Sequence, residues 1–213
     1  MIAPKRLHDQ SGPRACRRTE RRLTDNRGVI ALEWASFGTP VGPVSVGCGD
    51  AGVARVRFGA PPAAGDWTGP LPAARDERRA LAQEARRQLA EYFRGQRQHF
   101  ELPLDWSGYA PPRHRVLGLL HDRVGYGQTV TYGALAQLAE LPASREVIPA
   151  RAVGTIMGSN PIPVIVPCHR VVASDGLGGY SGGAGPEVKR WLLILEGALP
   201  PTLDWVPAEP AGA

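Results

Sequence analysis

The stretch N-P-I-P-V-I-V-P-C-H-R-V-V-A-S-D-G-L-G-G-Y-S-G-G, residues 160–183, decides how the rest of the chain is read. Val164, Ile165 and Val166 form a short β-branched apolar run between prolines, which predicts a buried strand that ends where Pro167 removes the next backbone donor. Such a strand delivers Cys168 to a rim. Pro167 suits the first position of a helical turn, where backbone N–H groups favour a thiolate. His169 follows at once, but adjacent side chains diverge in extended chain. A relay between the two therefore needs a tight turn or a bridging water. Taken alone, the pair favours a buried structural cysteine, since free cysteine is among the most buried residue types.

Composition narrows the class. A chain of 213 residues can hold two small domains, each with its own core. Its 43% hydrophobic content is ordinary for a globular fold, and no apolar run is long enough to span a membrane. A transmembrane role is thereby excluded. The N-terminus is polar and arginine-rich without the apolar core of a secretory signal, which predicts a cytoplasmic protein. Cys16, Cys48 and Cys168 are odd in number and widely spaced. That argues against a disulfide framework or a zinc site, and no metal or cofactor is expected. The net charge of +5 is a local property: residues 1–28 carry eight Lys/Arg against three Asp/Glu, and the remaining 17 basic residues are matched by 17 acidic ones. The tail either adds salt-dependent, sequence-independent attraction to DNA or is an unstructured extension.

From Val29 the pattern becomes that of a folded domain. Short apolar stretches alternate with turn residues as far as Phe58, and G-C-G-D-A-G (47–52) reads as a hairpin turn between two strands. Cys48 sits on that turn and is read as structural. After a Pro/Gly/Ala loop at 59–72, the segment 75–94 carries Leu81, Ala85, Leu89 and Tyr92/Phe93 near helical spacing and stops at Gly95. The predicted unit is an amphipathic helix over a small sheet. Arg78, Arg79, Arg86 and Arg87 are interleaved with Asp76, Glu77, Glu84 and Glu91, which favours a solvated ion-pair face over a DNA-binding one. Residues 100–106 close this domain, and 107–112 form the linker.

The second domain opens with a helix at about 113–122, passes through G-Y-G-Q-T-V and enters a second helix capped by Thr131 and lasting to Leu141. A third covers about 150–159 and ends at Asn160-Pro161. The predicted fold class is α+β: a small N-terminal β-sheet plus helix domain (29–106), then a winged helix-turn-helix-like C-terminal domain (107–200), flanked by the basic tail 1–28 and a C-terminal tail 201–213. The third helix offers one long polar side chain where major-groove readout wants several. Its small residues, Ala150, Ala152 and Gly154, instead permit close backbone approach. That suits a shallow minor-groove dock with Arg151 wedged into the base stack.

Six motifs in a single order carry a resemblance: T-V-T-Y-G-A-L-A (129–136), A-R-A-V-G (150–154), N-P-I-P (160–163), P-C-H-R-V-V (167–172), G-G-Y-S-G-G (178–183) and K-R-W-L-L-I-L-E-G (189–197). The chain resembles the O6-alkylguanine-DNA alkyltransferases, the methylated-DNA–protein-cysteine methyltransferases, over roughly its C-terminal half. The N-terminal half matches in size and coarse pattern. Two departures stand out. The connection 142–149 is longer than the family's usual one, with Pro149 directly before the motif helix, and Pro112-Arg113 and Leu117 stand where the family shows an aromatic-plus-Gln pair and a Trp. Altered packing rather than lost chemistry is expected.

The resemblance implies single-turnover DNA repair, in which a monomer without cofactor or metal moves the alkyl group of O6-alkylguanine, and less efficiently O4-alkylthymine, from double-stranded DNA onto Cys168. A base buried in duplex has to flip out to meet a thiol. The resemblance further implies a Cys168, water, His169, Glu196 relay that holds the thiol below its free pKa of about 8.5. Asn160 would tie the motif helix to the active-site strand, Tyr132 would reach the base and the turned phosphate, and Tyr180 would cap the pocket. The Ser181 backbone N–H would bond guanine O6, and the carbonyls of Cys168 and Val171 would accept from its exocyclic amine. Plainer readings stand beside these: Arg151 as a surface arginine, 178–183 as a glycine turn, and Glu196 as a surface carboxylate at a helix end. The rival function is a lesion-sensing or regulatory DNA-binding protein of the same fold that transfers nothing. The family's non-transferring relatives replace the cysteine, whereas Cys168 is retained.

Overall fold

The alternating apolar stretches between residues 33 and 58 become an antiparallel sheet of β1 (Glu33–Phe37), β2 (Val44–Gly49) and β3 (Gly52–Phe58), in the order β1-β2-β3. The computed structural model describes residues 32–62, 75–143 and 148–201. The basic tail 1–28 with Cys16, parts of the loop 59–72 and of the connection 142–149, and the C-terminal tail beyond 201 lie outside the described residues. The β2–β3 turn falls at Asp50 and Ala51, so Cys48 belongs to β2 rather than to the turn. It is fully buried, and burial pushes its thiol up to about 12. That is an inert core cysteine.

Helix α1 (Arg75–Phe93) lies over the sheet with Ala82, Ala85, Leu89, Tyr92 and Phe93 buried. On its outer face Arg87 pairs with Glu84 at 2.6 Å, and Glu91 with Arg97 at 2.8 Å. Arg87 thus serves the solvated ion-pair face that the spacing predicts, whereas Arg78 departs from it: it is buried and donates to Asp50 at 2.5 Å, tying the helix to the β2–β3 turn. The far edge of β3 is covered in two places. Val53 exchanges backbone bonds with Pro103 and Asp105, and the Val56 N–H donates to the Pro161 carbonyl at 2.8 Å. The second bond docks the N-terminal sheet directly on the 160–183 stretch.

The second half contains α2 (Pro111–Arg123), β4 (Val130–Thr131), α3 (Tyr132–Leu138), α4 (Pro149–Gly158), β5 (Val171–Val172) and α5 (Pro186–Leu195). Helices α2 and α4 start on prolines, slightly earlier than the sequence suggests, because a first-turn residue has no intrahelical N–H bond to lose. Thr131 caps α3 by accepting the Ala134 N–H at 3.1 Å. That helix stops at Leu138, short of Leu141, and Glu140 takes a left-handed φ of 49° just beyond. Helices α3 and α4 pack on each other and on α2, giving the helix-turn-helix, while β4 pairs in parallel with β5. The departure at the start of this domain is accommodated in the packing. Leu117 is fully buried, and Arg113 lies 4.9 Å over the Tyr109 ring and donates to the Ser159 carbonyl.

Val164–Val166 does not form the predicted strand. The three residues are buried but sit in a tight turn, with the Val166 N–H donating to the Ile162 carbonyl at 2.9 Å and Val164 at φ 75°. Proline at 161, 163 and 167 leaves too few donors for a ladder. The left-handed φ is costly for a β-branched residue, so the surrounding packing holds it in place.

One apolar core runs through both halves. At their junction Phe93 of α1 stacks on Trp191 of α5, with centroids 5.7 Å apart, and the Tyr92 ring meets Tyr126 edge-on at 6.1 Å. The end of α1 therefore abuts the segment that carries Glu196. Among the described residues no helix is long and apolar enough to cross a membrane.

Candidate active site

The tight turn hands the chain to a single 3-10 turn, Cys168–Arg170, with Pro167 just before it. Pro167 is thus the cap rather than the first turn residue. The Cys168 N–H donates to the Val166 carbonyl at 2.8 Å, and the Arg170 N–H to the Pro167 carbonyl at 2.9 Å. Asn160 braces this arrangement. Its Nδ2 donates to the Val166 carbonyl at 2.8 Å, and its Oδ1 accepts the Ile162 N–H at 3.1 Å. It stands just beyond α4 and fixes the turn in front of Cys168, there being no strand for it to tie. Cys168 is 5% exposed and lines a cavity of about 300 Å³.

His169 and Arg170, next after Cys168 in the chain, enter a buried polar cluster. Glu196, at the C-cap of α5, accepts from His169 Nε2 at 2.9 Å and from Tyr92 Oη at 2.6 Å, both on Oε1. Arg170 grips the same carboxylate with Nε and a terminal nitrogen, each at 2.9 Å, and its other terminal nitrogen donates to the Val124 carbonyl at 2.6 Å. The Gly127 N–H approaches Oε2 at 3.4 Å. Gly127 has φ 73°, and a Cβ there would stand 2.9 Å from the Glu196 carbonyl oxygen, so glycine is required. Burial alone would raise the Glu196 carboxyl, but hydrogen bonds from His169 and Arg170 and the Arg170 charge hold it down at about 2. The surface-carboxylate alternative for Glu196 does not apply.

His169 is fully buried, and burial lowers its pKa despite the neighbouring carboxylate. It is therefore neutral at physiological pH. With Nε2–H assigned to Glu196 by the hydrogen-bond network, Nδ1 is the basic nitrogen, and it is buried without a partner among the described residues. That atom is free to take a proton.

The thiol itself is not depressed. Burial pushes Cys168 above its ordinary value, while Asn160, Lys189 and Tyr180 pull the other way without winning. The expected lowering is absent because desolvation acts on the resting thiol, whereas the histidine is neutral and contributes no charge. The Tyr180 hydroxyl is buried beside Cys168, and burial holds it neutral. Lys189 is buried too. Its Nζ donates to the carbonyls of Val171 at 2.7 Å, Gly179 at 3.2 Å and Leu177, and burial lowers its pKa to about 8. It pins the 177–179 segment to α5 and leaves a positive charge near the thiol.

Of the residues expected at the site, Cys168, Asn160, Tyr180 and Ser181 line the cavity together, whereas His169 and Glu196 are buried outside its lining and paired with each other. Tyr132 stands outside the lining, its hydroxyl donating to the Gly179 carbonyl at 3.3 Å. Ser181 Oγ donates to the Gly158 carbonyl at 3.1 Å, joining the loop to the end of α4. Val171 is buried beneath, its carbonyl engaged by Lys189. Arg151 is exposed on the first turn of α4, and Ala150, Ala152 and Gly154 follow the same helix away from the cavity lining. Tyr92, Arg170 and Lys189 join the site beyond the residues that the resemblance implies. Lys189 did carry a signal, being one of two lysines among 23 arginines.

Comparison with known proteins agrees with this geometry. Residues 32–106 match the family described as "6-O-methylguanine DNA methyltransferase, ribonuclease-like domain", and residues 111–198 match "6-O-methylguanine DNA methyltransferase, DNA binding domain". The "Methylated-DNA--protein-cysteine methyltransferase" of Methanosarcina acetivorans is 34% identical over 78% of this chain and 99% of its own length. The "DNA base-flipping protein" of Thermus thermophilus is 40% identical over 76% of this chain and 97% of its own. Among solved structures, Mycobacterium tuberculosis OGT in complex with DNA superposes with a TM-score of 0.60 at 34% identity, over 76% of this chain and 91% of that one. With both domains matched in order, and relatives aligned over nearly their whole length, the chain belongs to the 6-O-methylguanine DNA methyltransferase family.

Proposed function

We propose that this protein repairs DNA by moving the alkyl group of O6-alkylguanine, and more slowly of O4-alkylthymine, onto Cys168, acting as a cytoplasmic monomer on a base flipped from the minor-groove side. The observation that carries the reading is a lone thiol lining a cavity, backed by a buried neutral imidazole whose open nitrogen is Nδ1. Through a bridging water, Nδ1 takes the thiol proton as Sγ attacks the alkyl carbon. The S–C bond forms, the C–O6 bond breaks, and its electron pair passes to the guanine, which recovers the proton. Glu196 stabilises the imidazolium while it exists, and Arg170 and Tyr92 keep that carboxylate ionised and in place.

The family resemblance supplies the base contacts: the Ser181 N–H to O6, and the carbonyls of Cys168 and Val171 to the exocyclic amine. The Cys168 carbonyl already accepts the Val171 N–H, and the Val171 carbonyl accepts Lys189. Each retains a second lone pair for a ligand. The product thioether has no route back to thiolate, so each molecule reacts once. Incubation with a duplex carrying O6-methylguanine should convert one lesion per protein molecule and then stop. Continued turnover, or no conversion with DNA bound, would rule this function out.

Arg151 fits the wedge role because it is the one long polar side chain on an exposed first turn of small residues. Unstacking a base costs a few kcal/mol, part of which an inserted side chain offsets. Arg151→Ala should slow repair in duplex about tenfold or more while leaving reaction with free O6-benzylguanine nearly unchanged. Equal slowing of both reactions would make Arg151 a structural residue.

A further inference from the structure

The cavity is not built by the second domain alone. Val56 and Phe58 of β3 line it together with Cys168 and Tyr180. Backbone geometry holds them there, since the Val56 N–H is bonded to the carbonyl of Pro161, two residues before Pro163, which also lines the cavity. Phe58 meets the Tyr180 ring edge-on, with centroids 6.4 Å apart. It also lies under the glycines that follow. A Cβ on Gly182 would come within 2.9 Å of Phe58 Cε2, and one on Gly183 within 3.3 Å of Phe58 Cβ. The loop that carries Tyr180 and Ser181 therefore rests on this ring from the other domain.

Apart from Arg57, Cys168 and the glycines, the lining side chains fall into two groups. Asn160, Tyr180 and Ser181 offer polar groups suited to a purine edge, whereas Val56, Phe58, Met157 and Pro163 offer apolar surface suited to an alkyl substituent. We infer that Phe58 is a specificity-determining residue, the wall from the N-terminal domain that limits the size of the alkyl group admitted to Cys168. This rests on the alkyl transfer proposed above. The ring fills volume that a bulky substituent needs, and the loop packed on it closes the cavity around a small one. Truncation at Phe58 removes both restraints, and the partly exposed ring can be lost without opening the core.

The test compares wild type, Phe58→Ala and Phe58→Leu on the same duplex carrying either O6-methylguanine or O6-benzylguanine. The benzyl-to-methyl rate ratio should rise at least about fivefold in Phe58→Ala and by less in Phe58→Leu, which keeps apolar packing against the loop. A ratio that stays constant while both rates fall would make Phe58 a mere support for the loop, and a ratio that falls would make it a stacking partner for aromatic substituents. Either result overturns the inference. A wild-type protein that takes up neither group removes the proposed alkyl transfer itself, and the inference with it.

Discussion

Cys168→Ser should take up no alkyl group from O6-methylguanine duplex while binding that duplex as tightly as the wild type. The hydroxyl occupies the same place at the start of the 3-10 turn, so the cavity and the Asn160 bracing survive. What disappears is the nucleophile, because a serine hydroxyl beside a neutral buried imidazole is far harder to ionise than a thiol. Cys48→Ala serves as the control. That residue is buried in β2 with its thiol pushed up to about 12, so its removal should leave transfer intact. Alkyl uptake by Cys168→Ser would mean that another group is the acceptor.

Glu196→Gln should show the second-largest effect, and on two properties at once. The substitution keeps the shape but leaves the Arg170 guanidinium, buried and doubly bonded to that carboxylate, without its counter-charge. Breaking such a pair from one side costs about 3–5 kcal/mol. It also removes the group that fixes the His169 tautomer and stabilises its protonated form, which should slow alkylation about a hundredfold near neutral pH. The slowing should shrink at alkaline pH, where solvent takes the thiol proton unaided. An equal slowing at all pH values would show that the cluster does not act through thiolate formation.

The same carboxylate sets an acid dependence of stability. Its folded pKa, about 2, lies below its ordinary 4.5. Its contribution is therefore complete above 4.5 and is lost as pH falls towards 2. Wild type should lose stability across that window, and Glu196→Gln should lose less.

Much of this site was legible in the sequence, for identifiable reasons. Motif order located Cys168, His169 and Glu196, and helical spacing of Leu81, Ala85, Leu89 and Tyr92/Phe93 predicted α1 to within a residue. Thr131 announced its helix because a cap is a local interaction. The reading of 164–166 as a strand failed because β-branched composition reports a preference, whereas a strand needs a partner with free donors. The prolines around it denied one. Tyr92 looked like any core aromatic. Nothing in a periodicity reveals that its hydroxyl reaches a carboxylate 104 positions away, across the junction of the two halves. Arg170 was hidden for the same reason: a basic residue in a motif does not announce a buried carboxylate partner. The resting thiol departs from the expected lowering because a sequence does not display the desolvation that outweighs the charges around it.

Cys168 is the proposed acceptor of an alkyl group from DNA. Mass spectrometry of the protein before and after incubation with an O6-methylguanine duplex tests it most directly, with digestion to locate the modification. The prediction is a gain of one methyl group per molecule, confined to the peptide that contains Cys168. An unchanged mass after saturating exposure to the lesion, or a methyl group on any other peptide, would contradict it.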